Sequence, residues 1–515
     1  MRFLFRVDSS ITIGTGHVAR CLNLAQKLRS LGHTCEFSCR LHSGNIVHVI
    51  KSRGFYVHTL DATAIAEPST NPFDENQYQS WLGVSQSADA NELISKVGIS
   101  LYDWVIVDHY GIDSMWETQI RPICQRLMVI DDLANRFHIC DLLLDQSLVD
   151  DYFNRYDGLV PDTCARLLGP KYALLHPDFQ SCLSTLHRHT NTVPRVLVSF
   201  GGNDVGGVTL FVVKALLEVV DIDFHLDVVV SREAESYSSL VAIADSSKKL
   251  TIHSALPSLA GLMFSCDKAI GATGITTWER LCAALPTLVI TVADNQIEIA
   301  EHLNKIGLVE YLGPYTTLDK DVLIREFRRF VDTPMASDFA TICYDFVSGN
   351  GADVIGTLLS ADVSCTLHAR CANESDLYQL YEWTNDPLVR KNSLISQTVS
   401  YESHHEWFRM KLRSLDTSIY IVELESGVGV GVVRFERQVN HSILNYSIAP
   451  SLRGRGLAKR MLTVAIACHR QVVGSFVIEA TVKLNNNASR KVLEKLPFVE
   501  VQCDSELVHY KMTVE

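Results

Sequence analysis

The stretch Arg6-Val7-Asp8-Ser9-Ser10-Ile11-Thr12-Ile13-Gly14-Thr15-Gly16-His17 joins an apolar run at residues 3–7 to a pattern in which Val18, Cys21, Leu22, Ala25 and Leu28 recur at helical spacing. An apolar run without inside–outside alternation, then a glycine turn, then an amphipathic helix, reads as the first unit of a parallel sheet covered on both faces. Gly14 and Gly16 let the backbone approach a ligand closely, and a helix start favours negative charge. His17, in the first helical turn, feels the positive end of the dipole, which disfavours imidazolium. A neutral imidazole can take a proton from water, as a hydrolytic base must. A strand–helix turn with an incidental surface histidine is the plainer reading of the same pentapeptide.

Further apolar runs at 35–39, 57–60, 104–108, 127–131 and 142–145 extend the pattern to a Rossmann-like domain over 1–175, with a loop and short helix expected at 66–87. A second series, at 195–200, 224–231, 250–253, 268–271 and 287–292, predicts another Rossmann-like domain over 190–360. Two such units enclose a cleft suited to a nucleotide ligand. The pattern changes near Ser348-Gly349-Asn350-Gly351. A third, α+β unit is expected over 365–515: strand 366–370, helices 376–384 and 401–412, a meander at 419–424, 429–436 and 442–448, then a Gly/Arg turn and helix, strand 477–482, helix 488–496 and terminal strands.

A chain of 515 residues exceeds a single core, in line with several domains. The net charge of −13 argues against a nucleic-acid groove or an anionic membrane as partner, but not against a small anion held by backbone N–H groups. The 14 cysteines form no C-x-x-C, and the Asp and His residues are not spaced as a ligand set, so no metal is expected. Asp8 and Ser9 interrupt any signal-like run, and no uncharged apolar stretch is long enough to span a bilayer. These features predict a cytoplasmic protein.

Two more glycine turns end strands of the second domain. Ser199-Phe200-Gly201-Gly202-Asn203-Asp204 is one; Gly271-Ala272-Thr273-Gly274-Ile275-Thr276-Thr277-Trp278-Glu279 is the other. N–H groups at such a helix start suit a pyrophosphate, and Thr276 can add a hydroxyl. Glu279, one helical turn in, is placed either to accept from ribose hydroxyls or simply to complement the dipole. A fourth turn, Ile448-Ala449-Pro450-Ser451-Leu452-Arg453-Gly454-Arg455-Gly456-Leu457-Ala458, again follows a strand and opens a helix, now with two arginines.

The 6–22 string closely resembles the opening of the UDP-sugar hydrolases of pseudaminic acid biosynthesis. So do Val107-Asp108-His109-Tyr110-Gly111 and Asp131-Asp132 followed by Cys140-Asp141. The resemblance covers about residues 1–355 and implies a GT-B-like pair of domains that releases UDP from a 2,4-diacetamido-2,4,6-trideoxy-altrose. It implies His17 as acid/base and Asn295 as a second group at the reacting sugar. Gly14, Gly16, Asp108, His109, Tyr110 and Gln296 would contact substrate; Gly201, Gly202, Asp204, Gly274, Ile275, Thr276 and Glu279 would hold UDP. Asp294 reads equally well as a helix cap.

The fourth turn matches R/Q-x-x-G-x-G/A, the pyrophosphate turn of the GNAT acetyltransferases. The resemblance implies acetyl-CoA as cosubstrate, held by Ile448, Arg453, Gly454, Arg455, Gly456, Leu457, Ala458 and, through Asn486-Asn487-Ala488-Ser489, by Asn486. Leu493 stands where many members carry the tyrosine that protonates the leaving thiolate. Tyr446 is a substitute or a core residue; Glu436 is a base acting through water or a strand-end carboxylate. Glu382-Trp383 and His405-Glu406-Trp407 are similar to acetyltransferases of nucleotide-linked 4-amino-sugars, with both tryptophans as pocket wall or core. Together these readings predict a bifunctional enzyme acting on a UDP-linked amino-sugar. A glycosyltransferase on the same frame and a UDP-binding regulator are the rivals.

Overall fold

The computed structural model describes residues 1–62, 78–98, 101–183, 192–201, 204–254 and 256–515. The expected loop at 66–87 lies outside the described residues as far as 77; beyond it come a short turn at Gln79–Leu82 and the helix Gln86–Val97. The chain divides into two compact units, Met1–Pro161 with Arg166–Gly356, and Asp162–Ala165 with Thr357–Glu515.

The first unit carries two Rossmann-like sheets. One contains β1 (Arg2–Val7), β2 (Thr34–Arg40), β3 (Tyr56–Leu60), β4 (Tyr102–Asp108), β5 (Cys124–Ile130), β6 (Leu142–Asp145) and β7 (Ala165–Leu168), in the order β3-β2-β1-β4-β5-β6-β7. Strands β1 to β6 pair parallel. The other contains β8 (Arg195–Ser199), β9 (His225–Val229), β10 (Leu250–His253), β11 (Lys268–Gly271), β12 (Thr287–Thr291) and β13 (Glu310–Pro314), all parallel, in the order β10-β9-β8-β11-β12-β13. The sequence reading did not anticipate β7 or β13. β13 has intermediate burial throughout, as befits an edge strand, so it lacks the apolar run that marks the inner strands.

Both sheets reverse their winding once, between β1 and β4 and between β8 and β11. At such a reversal the helices leave on opposite faces, and a crevice opens beyond the carboxyl ends of the two strands. The turns singled out in the sequence all fall at these ends: 8–17 and 108–111 in the first sheet, 199–204 and 271–274 in the second.

A buried ionic network holds the first crevice in shape. Arg6 spans Asp8 (2.6 Å) and Asp89 (2.7 Å); Arg40 Nη2 also reaches Asp89 (2.6 Å), and Trp116 Nε1 donates to the same carboxylate (2.9 Å). Asp8 in turn accepts from the Arg40 amide at 2.7 Å, tying the ends of β1 and β2 together. Every member of this set is fully or almost fully buried, so removing one partner strands the other's charge, at about 3–5 kcal/mol.

The second unit is a seven-stranded mixed sheet: β14 (Leu367–Cys371), β15 (Thr417–Leu424), β16 (Gly429–Arg437), β17 (Ser442–Ile448), β18 (Phe476–Lys483), β19 (Val499–Cys503) and β20 (Leu507–Val514), ordered β14-β15-β16-β17-β18-β20-β19. Neighbours are antiparallel except β17 and β18. These two pair only at Ser442↔Ile478 and Ile443↔Glu479, then diverge. The expected strands and helices are present, with one more helix, Pro387–Asn392, capped by Asp386.

Candidate active sites

In the first crevice the loop before the helix Gly16–Ser30 is set by its own side chains. Ser10 Oγ accepts from the amides of Thr12 (3.1 Å) and Ile13 (2.8 Å), and the Gly14 amide returns to the Ser10 carbonyl at 2.9 Å, with Gly14 at φ 78°. That φ is open to glycine with little strain. The helix then begins with no acidic residue in its first turn, which leaves its N–H end available to an anion.

His17 lies at this helix start, 9% exposed, with Nδ1 2.6 Å from Asp108 Oδ1. Asp108 also takes Arg20 Nε (2.6 Å) and Nη2 (2.7 Å), and this guanidinium holds its carboxyl well below the usual range against the effect of burial. An ionised carboxylate only accepts, so Nδ1 carries the proton, and Nε2 has no hydrogen bond among the described residues. Arg20 continues the chain to Asp132 (2.6 Å), which also accepts from the Tyr110 hydroxyl at 3.0 Å. Tyr110 lies edge-on to the His17 ring at 4.7 Å, and Trp81 stacks on Tyr110 at 5.7 Å. Tyr78 packs on both rings; burial and the carboxylate of Asp294 raise its pKa.

Asp294 opens the short turn Asp294–Gln296 of the second sheet, in which Asn295 is exposed. Gln296 turns back on its own loop, its Oε1 accepting from the Val292 amide at 2.9 Å. His109 is likewise turned inward. The Gly111 amide donates to its Nδ1 (3.0 Å), so its Nε2 carries the proton and faces Asp8 at 3.3 Å, and burial keeps the ring neutral. Asp108, His109 and Gln296 thus brace other groups of the crevice.

The two turns of the second sheet differ. Gly201 has φ 96° with open space where a Cβ would stand, and Gly202 lies outside the described residues. Asp204 departs from expectation. Its Oδ1 accepts from the Thr209 amide (2.8 Å) and hydroxyl (2.6 Å) and its Oδ2 from Ser236, which ties the carboxylate to its own domain and leaves one acceptor site on Oδ2. At the other turn Gly274 and Ile275 are accessible, Thr276 is half-buried, and Gly274 donates to Thr277 Oγ1 at 3.1 Å. Glu279 stands one turn in, and burial pushes it up to about 7 although Arg280 pulls the other way.

In the second unit, the divergence of β17 from β18 opens into a cavity of about 970 Å³. Ile448, Arg453, Gly454, Gly456, Leu457 and Ala458 line one end, together with Asn486, whose Oδ1 caps the helix Asn487–Glu494 through the Ser489 amide. Gly454 and Gly456 have φ 70° and 75°. Arg455 is the exception: it is buried away from the cavity and donates to the carbonyls of Leu358, Ala361 (3.1 Å) and Ser451 (3.0 Å). Arg453 lines the cavity with Nη2 on Asp386 at 2.6 Å.

Tyr446 faces the cavity where the strands part, its hydroxyl 3.4 Å from the Ser489 carbonyl, and burial pushes its pKa up to about 12. Glu436 is not among the lining residues; it pairs with Lys411 (3.0 Å) and Arg434 (2.8 Å). Trp383 belongs to the core with Leu380, Phe408 and Ile421, whereas Trp407 lines the cavity beneath the Arg434 guanidinium. His404, unremarked in the sequence, lines the same wall; it is 2% exposed, and burial with Arg390 lowers it to about 4. Among the described residues no carboxylate lines this cavity, while Arg390, Arg434, Arg453 and Lys483 do. No group of three or more His, Cys, Asp or Glu suited to a metal occurs among the described residues, and no described helix is long and apolar enough to cross a membrane.

Residues 367–499 match the family model of the acetyltransferase (GNAT) domain. The whole chain is similar to an uncharacterized protein of Methanocaldococcus jannaschii, 24% identical over 97% of this chain and 96% of that one. Its N-terminal part is similar to the UDP-2,4-diacetamido-2,4,6-trideoxy-β-L-altropyranose hydrolase of Campylobacter jejuni, 25% identical over 60% of this chain and 99% of the relative. A further similarity, 27% identical over 32% of this chain and 49% of the relative, is to the spore coat polysaccharide biosynthesis protein SpsG of Bacillus subtilis. The chain therefore joins a region similar to a UDP-sugar hydrolase to a GNAT acetyltransferase domain.

Proposed function

We propose that the chain is a bifunctional enzyme of pseudaminic acid biosynthesis. Its GNAT domain acetylates the 4-amine of UDP-4-amino-4,6-dideoxy-N-acetyl-β-L-altrosamine, and its first unit then hydrolyses the diacetamido product to UDP and free sugar. The observation that carries the hydrolytic half is the His17–Asp108 pair at 2.6 Å, which leaves Nε2 to receive a proton.

Water positioned at Nε2 attacks the anomeric carbon; the new C–O bond forms as the bond to the β-phosphate oxygen breaks, with inversion. The water proton passes to Nε2, and Asp108, ionised under Arg20, stabilises the imidazolium as it forms. UDP departs as an anion and needs no proton. Its phosphates lie against the N–H groups at Gly274–Thr276, and Asn295 contacts the sugar from the second domain. The aromatic wall of Trp81 and Tyr110 shields the reacting centre.

In the GNAT domain the amine nitrogen attacks the thioester carbonyl and the C–S bond breaks, giving the amide and CoA thiolate. Tyr446 supplies the thiolate proton, and the amine gives its own to water. Arg390 and Lys483, with no carboxylate among the described residues of the lining, support an acceptor bearing phosphate over a polyamine.

Mass spectrometry of products from the 4-amino UDP-sugar, with and without acetyl-CoA and with no sugar acceptor present, tests the whole reading. Acetylated UDP-sugar followed by free diacetamido sugar and UDP is expected with acetyl-CoA. Acetylation without release of free sugar would leave a glycosyltransferase or a binding module in the first unit.

A further inference from the structure

Arg280 is 1% exposed, and its side chain lies beneath the turn that the proposed function assigns to the diphosphate. Nη2 donates to the Ala272 carbonyl at 2.7 Å and to Thr277 Oγ1 at 3.3 Å, and Nη1 to Thr276 Oγ1 at 3.3 Å. The guanidinium fills the space under the first glycine, where a Cβ on Gly271 would stand 2.7 Å from Nη1. Nε is buried without a hydrogen bond, and the hydrogen bonds of both Nη atoms go to uncharged oxygens rather than to a carboxylate. Every other arginine of comparable burial in the first unit, Arg6, Arg20 and Arg40, pairs with an aspartate. A buried cation without a counter-ion is costly in the free protein.

The direction of the Ala272 bond matters as much as the charge. In a trans peptide the carbonyl and the following N–H point opposite ways. Drawing the Ala272 carbonyl inward therefore turns the Thr273 N–H outward, toward the carboxyl-end crevice. The N–H groups of Thr273, Ile275 and Thr276 have no hydrogen-bond partner among the described residues.

We propose that Arg280 is a positioning residue for the phosphates. It aims the peptide plane between residues 272 and 273 at the ligand, and its unpaired charge makes a diphosphate the missing counter-ion. Burial pulls Arg280 down to about 10 with only the adjacent Glu279 opposing, as expected of a cation whose partner is not part of the protein. This assignment rests on the reading of the turn as the UDP cradle.

Calorimetric titration of the full chain with UDP and with uridine, for the wild type, Arg280→Lys and Arg280→Gln, tests it. Arg280→Gln should weaken UDP by about 10- to 100-fold and leave uridine unchanged, because uridine lacks the groups the charge addresses. Arg280→Lys, which keeps the charge but cannot fork between Ala272 and the two threonines, should fall between, and it decides the matter should the glutamine variant fail to fold. Equal losses for UDP and uridine, or unchanged UDP binding, would overturn the proposal while leaving the UDP site standing. A wild type that binds no UDP would remove both.

Discussion

The proposed function places a pyrophosphate at two glycine turns between strand and helix, and the two turns differ in their electrostatics. At Gly271–Thr276 the supporting arginine is buried under the loop, without a carboxylate, within an unbroken parallel sheet. At Arg453–Leu457 the turn sits where two parallel strands part. There Arg453 is neutralised by Asp386, and Arg455 is spent on the carbonyls of Leu358, Ala361 and Ser451. What the two share is the row of N–H groups, not the arginines. Charge near a phosphate turn therefore does not report contact with phosphate; its partners decide whether it is available.

If the turns serve separate reactions, damage to one should spare the other. The largest effect is expected from Gly456→Asp. The residue has φ 75°, and a Cβ would meet Val363 Cγ1 at 2.8 Å, so a side chain there distorts the turn. Acetyl transfer should fall below detection while pre-acetylated UDP-sugar is still hydrolysed; an equal fall in hydrolysis would make the two sites one system. His17→Ala should lower UDP release by about 10²–10⁴ with acetyl transfer and UDP binding intact. Steady-state hydrolysis near the wild-type rate would remove His17 from the chemistry.

Asp108→Asn sharpens the first crevice on a smaller scale. The amide cannot satisfy both Arg20 and the His17 N–H as the carboxylate does, and the forming imidazolium loses its counter-charge. A fall of about 10- to 100-fold in kcat for UDP release, with KM little changed, is expected. A change in KM alone would instead return Asp108 to substrate binding.

Much of this was legible in the residues. Apolar runs without alternation located the inner strands, and all the phosphate turns fell at strand ends. Two strands at sheet edges were missed: β13, where intermediate burial no longer writes a continuous apolar run, and β7, buried at three of its four residues but interrupted by Arg166. The helix Pro387–Asn392 did carry a signal, an aspartate cap followed by proline at the first helical position. Side-chain direction was not legible. Asp108, His109, Asp204 and Arg455 sit in the right motifs, yet each is turned toward a partner distant in sequence or toward its own loop. Arg20, Trp81, Arg280 and His404 gain meaning only from neighbours that folding brings to them.

The smallest effect concerns the charge beside Arg280, and it separates the turns by pH. Glu279 is raised from its ordinary value to about 7 by burial, so between pH 4.5 and 7 the folded protein holds a proton that the unfolded chain has released. Stability from this group is therefore full below pH 4.5 and is lost as pH climbs to about 7. Glu279→Gln removes that dependence. The variant should match the wild type at pH 4.5 and exceed it by about 1–2 kcal/mol at pH 8, a figure reduced from the full shift because the side chain is partly exposed to water. Urea denaturation at the two pH values measures it. Nothing comparable is expected at the second turn, where Asp386 already answers Arg453, so a Glu279→Gln gain that is the same at both pH values would mean that the first turn, too, is electrostatically closed.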